Sequence, residues 1–224
     1  MVREQFDADG FASVPCVLST DECNDIEALT GTLDPDAAGT RCLLAEEWCR
    51  TLAGRLRRHP GLADVVPGNF VAVQCTYFEK SIERNWLVPI HQDLSIPVAA
   101  RVEHPALRGW SEKEGGIFVQ PPATLLEQLV ALRVHLDPCS NDDGPLQFIP
   151  GSHRHGRLSA EEAVTRRQAG PLVSCEMGQG DVLAMRPLVL HASPKAQGSS
   201  RRRILHFVFG PPELPYGISW QHAA

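Results

Sequence analysis

No stretch of this 224-residue chain approaches the roughly 18–20 consecutive apolar residues that a membrane-crossing helix requires, so no membrane partner is expected. The opening Met1–Gly10 is polar and acidic and lacks an apolar core, so no signal peptide is expected there. A basic surplus is also missing. The formal net charge of −6 has the wrong sign for a surface that holds nucleic acid by releasing counterions. There is no C-x-x-C pair. The cysteines at 16, 23, 42, 49, 75, 139 and 175 are odd in number and scattered, which speaks against a zinc knuckle, a redox pair or a disulfide framework. Reduced, mostly buried thiols in a cytoplasmic protein are the better reading. Internal repeats and low-complexity tracts are lacking too, and nothing in the sequence reports an oligomeric state.

What remains is an ordinary globular composition, 43% apolar and 21% charged, long enough to bury a core without staples. One domain over residues 1–224 is expected. Residues 1–60 read as mostly helical. Phe6–Pro15 suggests a short helix and then a short strand. Ser19-Thr-Asp-Glu22 is a helix start followed by a helix through Asp25–Thr30, Gly31–Thr40 reads as a loop, and Leu43–Arg58 has apolar residues at helical spacing. After Pro60 short strand-like runs take over: Asn69–Phe78, Ile90–Val98, Leu129–Leu136, Leu146–Ile149, Asp181–Met185, Leu188–Ala192 and Ile204–Phe209. Helices first and strands afterwards suggest a mainly β protein, a sandwich or barrel with flanking α-helices. Two segments interrupt the strands. Arg101–Pro122 is a lid insertion, and His153–Pro171 carries a short helix at Glu161–Arg167.

His91-Gln-Asp93 is the most informative tripeptide. On a strand, residues i and i+2 share a face, so imidazole and carboxylate can grip one metal ion. With a distant second histidine they form a 2-His-1-carboxylate facial triad, which leaves three positions open and suits iron(II) oxygenases. His135-Leu-Asp137 has the same spacing, but it ends an apolar strand and runs into a turn, so an inward histidine and a turn-capping aspartate explain it. His191, at the end of the apolar run Leu188–Leu190, is the distal histidine. His206 reads as a core residue or one just behind the site. His59, His104 and His222 read as surface. In the basic run Arg201–Arg203, strand alternation puts Arg203 with Leu205, Phe207 and Phe209 on a packed face, and Arg202 with Ile204 and His206 on a more site-like one. An arginine there can form a bidentate pair with a carboxylate.

These residues bring a family into view. Phe6-Asp-Ala-Asp-Gly-Phe, His91-Gln-Asp93, Asp143-Gly-Pro-Leu-Gln-Phe-Ile-Pro-Gly-Ser-His153, Gly180-Asp-Val-Leu, His191-Ala-Ser193 and Arg202 together resemble the phytanoyl-CoA dioxygenase family of iron(II)/2-oxoglutarate oxygenases. The resemblance implies a double-stranded β-helix, the jelly-roll core shared with cupins. It implies Fe(2+) held by His91, Asp93 and His191, with 2-oxoglutarate and O2 as co-substrates. It implies Arg202 and Ser193 at the far carboxylate of 2-oxoglutarate, and Gln74 and Arg133 as further co-substrate contacts. Arg133 stands where some members hold tryptophan, and Asp143 stands where asparagine is usual. Pro150–His153 shapes a turn beside the site, and His153 is not a ligand. Asp93 favours hydroxylation over halogenation, since related halogenases replace that carboxylate. The implied reaction hydroxylates an unactivated C–H bond of a small molecule and releases succinate and CO2.

Three other classes compete with this reading: a cupin-type metal enzyme that does not use 2-oxoglutarate, a non-catalytic jelly-roll binding module, and a structural zinc protein. The first does not need Arg202 or Ser193, the intact triad and arginine speak against the second, and a triad that leaves three positions open argues against the third. The substrate is not legible. Arg101, Arg108, Lys113 and Arg157 could hold an acidic molecule, but solvated surface is the plainer reading of all four.

Overall fold

The computed structural model describes residues 2–31, 39–41, 43–198 and 201–224. Most of the expected loop Gly31–Thr40, and Cys42 among the expected thiols, lie outside them. The other six cysteines are free. In chain order the elements are α1 (Val2–Asp9), β1 (Phe11–Val14), α2 (Thr20–Thr30), β2 (Gly39–Thr40), α3 (Glu47–Arg58), β3 (Val71–Lys80), β4 (Val88–His91), β5 (Ile96–Val98), β6 (Arg108–Lys113), β7 (Gly116–Gln120), α4 (Ala123–Leu126), β8 (Val130–His135), β9 (Gln147–Phe148), α5 (Ala160–Ala169), β10 (Val173–Ser174), β11 (Val182–Met185), β12 (His191–Ser193) and β13 (Arg202–Gly210). Sequence explains the helix starts. Ser19 caps α2 by accepting from the Glu22 amide, and the Glu22 carboxylate accepts from the Ser19 amide in return. Ser159 and Glu162 do the same for α5.

The strands form a major sheet in the order β1-β11-β8-β13-β3-β2 and a minor sheet in the order β10-β9-β12-β4. All their pairings are antiparallel. From β3 onward the core strands alternate between the sheets: β3 major, β4 minor, β8 major, β9 and β10 minor, β11 major, β12 minor, β13 major. That alternation is the jelly roll. A separate three-stranded sheet, β5-β7-β6, is inserted between β4 and β8.

Strand periodicity then divides the two faces of the major sheet. Ala72, Cys75, Leu132, Val134, Val182, Ala184, Leu205, Phe207 and Phe209 pack outward on Phe6, Ile26, Leu52 and Leu56 of the helices. The largest apolar cluster therefore lies between sheet and helices. The opposite face, carrying Gln74, Thr76, Lys80, Arg133, Arg202 and His206, points into a pocket between the sheets.

Several expectations change. Leu188–Leu190 is not strand. The segment after Pro187 turns, with the Val189 amide donating to the Arg186 carbonyl, and His191 begins β12 rather than ending a strand. The run is apolar because all three residues are buried, not because it is extended. Ile90–Val98 is broken: β4 stops at His91, and Asp93 lies beyond it with its amide bonded to the Pro187 carbonyl. Arg101–Pro122 contains the β6–β7 hairpin, whose two-residue turn puts Glu114 and Gly115 at φ of 51° and 75°. Leu43–Ala45 forms a 3-10 turn before α3.

Gly180 marks a tight junction. Its carbonyl accepts from the Val17 and Leu18 amides, its φ is +80°, and a Cβ there would come within 2.0 Å of the Leu18 carbonyl oxygen. Gly180→Ala is expected to destabilise the protein by about 2–4 kcal/mol, because it combines a left-handed conformation with a backbone clash. A urea unfolding curve measures it.

Candidate active site

The three sequence-predicted metal ligands converge. Nitrogen and oxygen donors of His91, Asp93 and His191 all lie within 4.8 Å of one another. His91 Nε2 is 3.7 Å from Asp93 Oδ1, and His191 Nε2 is 3.7 Å from Asp93 Oδ2. The pairing of β12 with β4 places His191 opposite His91. Each imidazole is oriented by the backbone two residues before it: Nδ1 of His91 faces the Pro89 carbonyl of β4 at 2.8 Å, and Nδ1 of His191 faces the Val189 carbonyl, in the turn before β12, at 2.9 Å. With Nδ1–H donating there, both Nε2 lone pairs are free to face the carboxylate, the usual arrangement behind a metal-bound histidine.

Charge around the triad is one-sided. Burial raises the Asp93 carboxyl, but the imidazoles of His191, His206 and His91 and the Arg133 guanidinium outweigh it and hold the group below its ordinary value. Burial pulls His191 down to about 4, against the opposing pull of Asp93. Burial and Arg133 take His206 to about 3. These rings are neutral at pH 7, as a ligand must be.

A cavity of about 440 Å³ opens onto the triad. On one side it runs down to Arg202, Ser193 and Lys80. The Ser193 hydroxyl donates to the Gly144 carbonyl at 2.7 Å and accepts from Lys80 Nζ at 2.9 Å. Arg202 Nη1 donates to the same carbonyl, and its buried Nε has no partner among the described residues. Arg133 lies between this cluster and the triad. Its Nη1 is 3.3 Å from His206 Nδ1, its guanidinium sits 5.7 Å over the Phe78 ring, and its Nε is likewise buried without a partner among the described residues. Gln74 lines the pocket and donates to Thr76 Oγ1 at 2.9 Å.

Neighbouring arginines are committed elsewhere. Arg201 makes a two-point pair with Glu79, with both contacts at 2.9 Å, and Arg203 is held by Asp137 and Glu27. Asp137 is therefore an ion-pair partner rather than a turn cap, and His135 points inward, buried. Of Arg101, Arg108, Lys113 and Arg157, only Lys113 lines the cavity. Arg157 donates to Gln120, and Arg154 donates to the Asp7 carbonyl, so the loop at 154–157 is pinned and contributes no lining residue.

Lys80 was missed by sequence reasoning. Only 2% exposed, it is brought down to about 8 by burial and by Arg202 and Arg133. A signal for it existed: Gln74, Thr76, Phe78 and Lys80 alternate along β3, so one site residue on that strand predicts the others. Gln92, between the two proposed ligands, was missed as well. Its amide donates to the Leu188 and Gly156 carbonyls and accepts from the Leu158 amide.

Fold and donor set together define a jelly-roll protein with a 2-His-1-carboxylate constellation. The chain belongs to the phytanoyl-CoA dioxygenase (PhyH) family, whose model matches residues 6–204. A search of curated proteins returned no match. Among solved structures it is similar to AviO1 from Streptomyces viridochromogenes Tue57, with 23% identity over 96% of this chain and 95% of that one and a TM-score of 0.65. It is similar to HygX from Streptomyces hygroscopicus, solved with nickel and 2-oxoglutarate, with 20% identity, 94% and 87% coverage and a TM-score of 0.64. It is also similar to the epimerase SnoN in complex with Fe3+, alpha ketoglutarate and nogalamycin RO, with 14% identity, 96% and 86% coverage and a TM-score of 0.70. Among the described residues no helix is long and apolar enough to cross a membrane.

Neutral buried imidazoles have a consequence for the metal-free protein. Unfolded histidines take up a proton near 6.5, whereas His191 stays neutral down to about 4 and His206 to about 3. Stability is therefore lost as pH falls below 6.5 towards 4, by about 1.4 kcal/mol per pH unit for each such ring. Chemical denaturation of metal-free protein across that range checks the slope, which is expected to shrink in His206→Asn.

Proposed function

We propose that this protein is an iron(II)- and 2-oxoglutarate-dependent oxygenase that hydroxylates an unactivated C–H bond of a small-molecule substrate. One observation carries the reading: a 2-His-1-carboxylate triad and a buried cationic cluster, Lys80 and Arg202 with Ser193, face the same cavity. The residues fit the groups they would hold. Two imidazoles and a carboxylate suit a divalent cation with open positions. The Nε atoms of Arg202 and Arg133, without a partner among the described residues, call for an acceptor, since a buried donor without one is costly.

In this reading His91, Asp93 and His191 hold Fe(2+). The iron, once bound, supplies activation of O2 coupled to decarboxylation of 2-oxoglutarate to succinate and CO2. Arg202 and Ser193 receive the far carboxylate, with Lys80 beside them, and Arg133 and Gln74 line the co-substrate nearer the triad. Charge-assisted hydrogen bonds to those cations fix its orientation. The lining Phe78, Trp86, Phe118 and Leu129 exclude water and orient the substrate. Residues 1–224 act as one domain, in which 101–122 forms the lid. Lys113, Phe118 and Gln120 of that segment line the cavity, and Glu114 at its tip accepts from the Arg41 amide at 2.7 Å and from Thr40 Oγ1 at 3.1 Å. Asp93 leaves no ligand gap for a halide, which favours hydroxylation over halogenation. The same site chemistry also serves other outcomes, as in structural neighbours described as an epimerase and a carbocyclase.

Anaerobic addition of 2-oxoglutarate to the iron(II)-loaded protein is expected to give a weak visible charge-transfer band that neither component gives alone. No band, together with no succinate from any substrate in a broad screen, would sink the reading. Arg202→Leu is expected to raise the 2-oxoglutarate Kd about 10–100-fold, the loss of a charged hydrogen-bonded pair. Arg201→Leu, whose guanidinium serves Glu79, is expected to leave it unchanged.

A further inference from the structure

The Pro150-Gly-Ser-His153 turn supplies no cavity-lining residue, yet it touches the backbone that carries His191. That histidine stands on a strand of only three residues, so the turn before it sets where the imidazole points. The Leu190 amide donates to the Ser152 hydroxyl at 2.8 Å, and the Leu190 carbonyl accepts from the Ile149 amide at 3.0 Å. The same hydroxyl donates to the Ile149 carbonyl at 2.7 Å, so both its donor and its acceptor roles are taken. Ser152 is 2% exposed, with no water-facing alternative for the Leu190 amide if the hydroxyl is removed. From the other side the Asp93 amide holds the Pro187 carbonyl at 2.9 Å, and the Gln92 amide holds the Leu188 carbonyl at 2.7 Å. The Val189 carbonyl that orients His191 Nδ1 thus sits inside a turn gripped at both ends.

The turn carrying Ser152 is itself braced by the N-terminal segment. The Gly151 amide donates to the Asp9 carbonyl at 2.8 Å, and the Arg186 amide donates to the Gly10 carbonyl at 2.8 Å. The His153 ring lies against Gly10, which has φ +86°, and a Cβ at Gly10 would come within 2.4 Å of His153 Nδ1. We propose that Ser152 is a positioning residue for His191, held in place by the Phe6–Gly10 segment. The Pro-Gly-Ser-His turn then serves metal binding without supplying a ligand. The proposal rests on the reading of His191 as a metal ligand.

The test is a titration of metal-free protein with cobalt(II), followed by its visible absorption. Wild type is expected to bind, and His191→Ala is expected to lose that spectrum. If wild type shows no cobalt spectrum that depends on His191, the metal reading itself falls. Given wild-type binding, Ser152→Ala is expected to raise the cobalt Kd about 10–100-fold, the usual cost of losing support behind a ligand. Its altered band shape would report a displaced imidazole. Ser152→Thr, which keeps a hydroxyl, is expected to return the Kd towards wild type. A purely structural serine would lower the melting temperature of the metal-free protein without moving the Kd of the folded fraction. A Ser152→Ala Kd within twofold of wild type therefore overturns the proposal. Should Ser152→Ala fail to fold, Gly10→Ala decides through the His153 contact: a raised Kd supports the brace, and a wild-type Kd overturns it.

Discussion

Positive charge buried inside the jelly roll is the constraint on which the rest of the structure depends. Lys80, Arg133 and Arg202 are all turned into the space between the sheets, and among the described residues Asp93 is the one carboxylate lining the same cavity. Charges so placed are tolerable only when hydrogen-bonded and balanced. The protein supplies part of that balance through Gly144, Ser193 and Pro194 oxygens. The Nε atoms of Arg133 and Arg202 keep no acceptor among the described residues, so the interior carries positive charge that protein oxygens only partly offset.

Around this charged interior, the two sheets act as a jig. The pairing of β12 with β4 brings two histidines from residues 91 and 191 to face each other, and the β13–β3 ladder sets Arg202 beside Lys80. The first joins strands of three and four residues, the second strands of nine and ten. Each follows from an antiparallel register that a one-residue slip would invert.

How much of this was readable in the sequence varied with the physics involved. The triad was legible because metal binding constrains residue type and spacing together. Arg202 was legible because β13 alternates cleanly. Leu188–Leu190 misled because burial and extension give the same apolar signature over three residues. The hairpin β6–β7 was hidden by its charged residues and by a Glu-Gly turn in place of the more usual Asn-Gly. Lys80 was passed over, despite its alternation with Gln74, because a lysine at a strand end ordinarily means solvent, and only the tertiary fold shows it covered. Gln74 and Ser193 drew their roles from resemblance rather than from any local pattern. The Pro-Gly-Ser-His turn was recognisable at once, but its contact with the residue before His191 belongs to tertiary structure alone.

The outward face of the major sheet carries the larger apolar cluster against α1, α2 and α3, while the inward face carries the polar pocket. Folding free energy and chemistry are thereby assigned to opposite sides of the same strands. Substitutions at alternate positions can remodel the lining while leaving the sheet's anchorage untouched. Such a scaffold is evolvable in a specific sense: the cavity lining can drift, residue by residue, without eroding the framework that holds the strands of His91 and His191 in register.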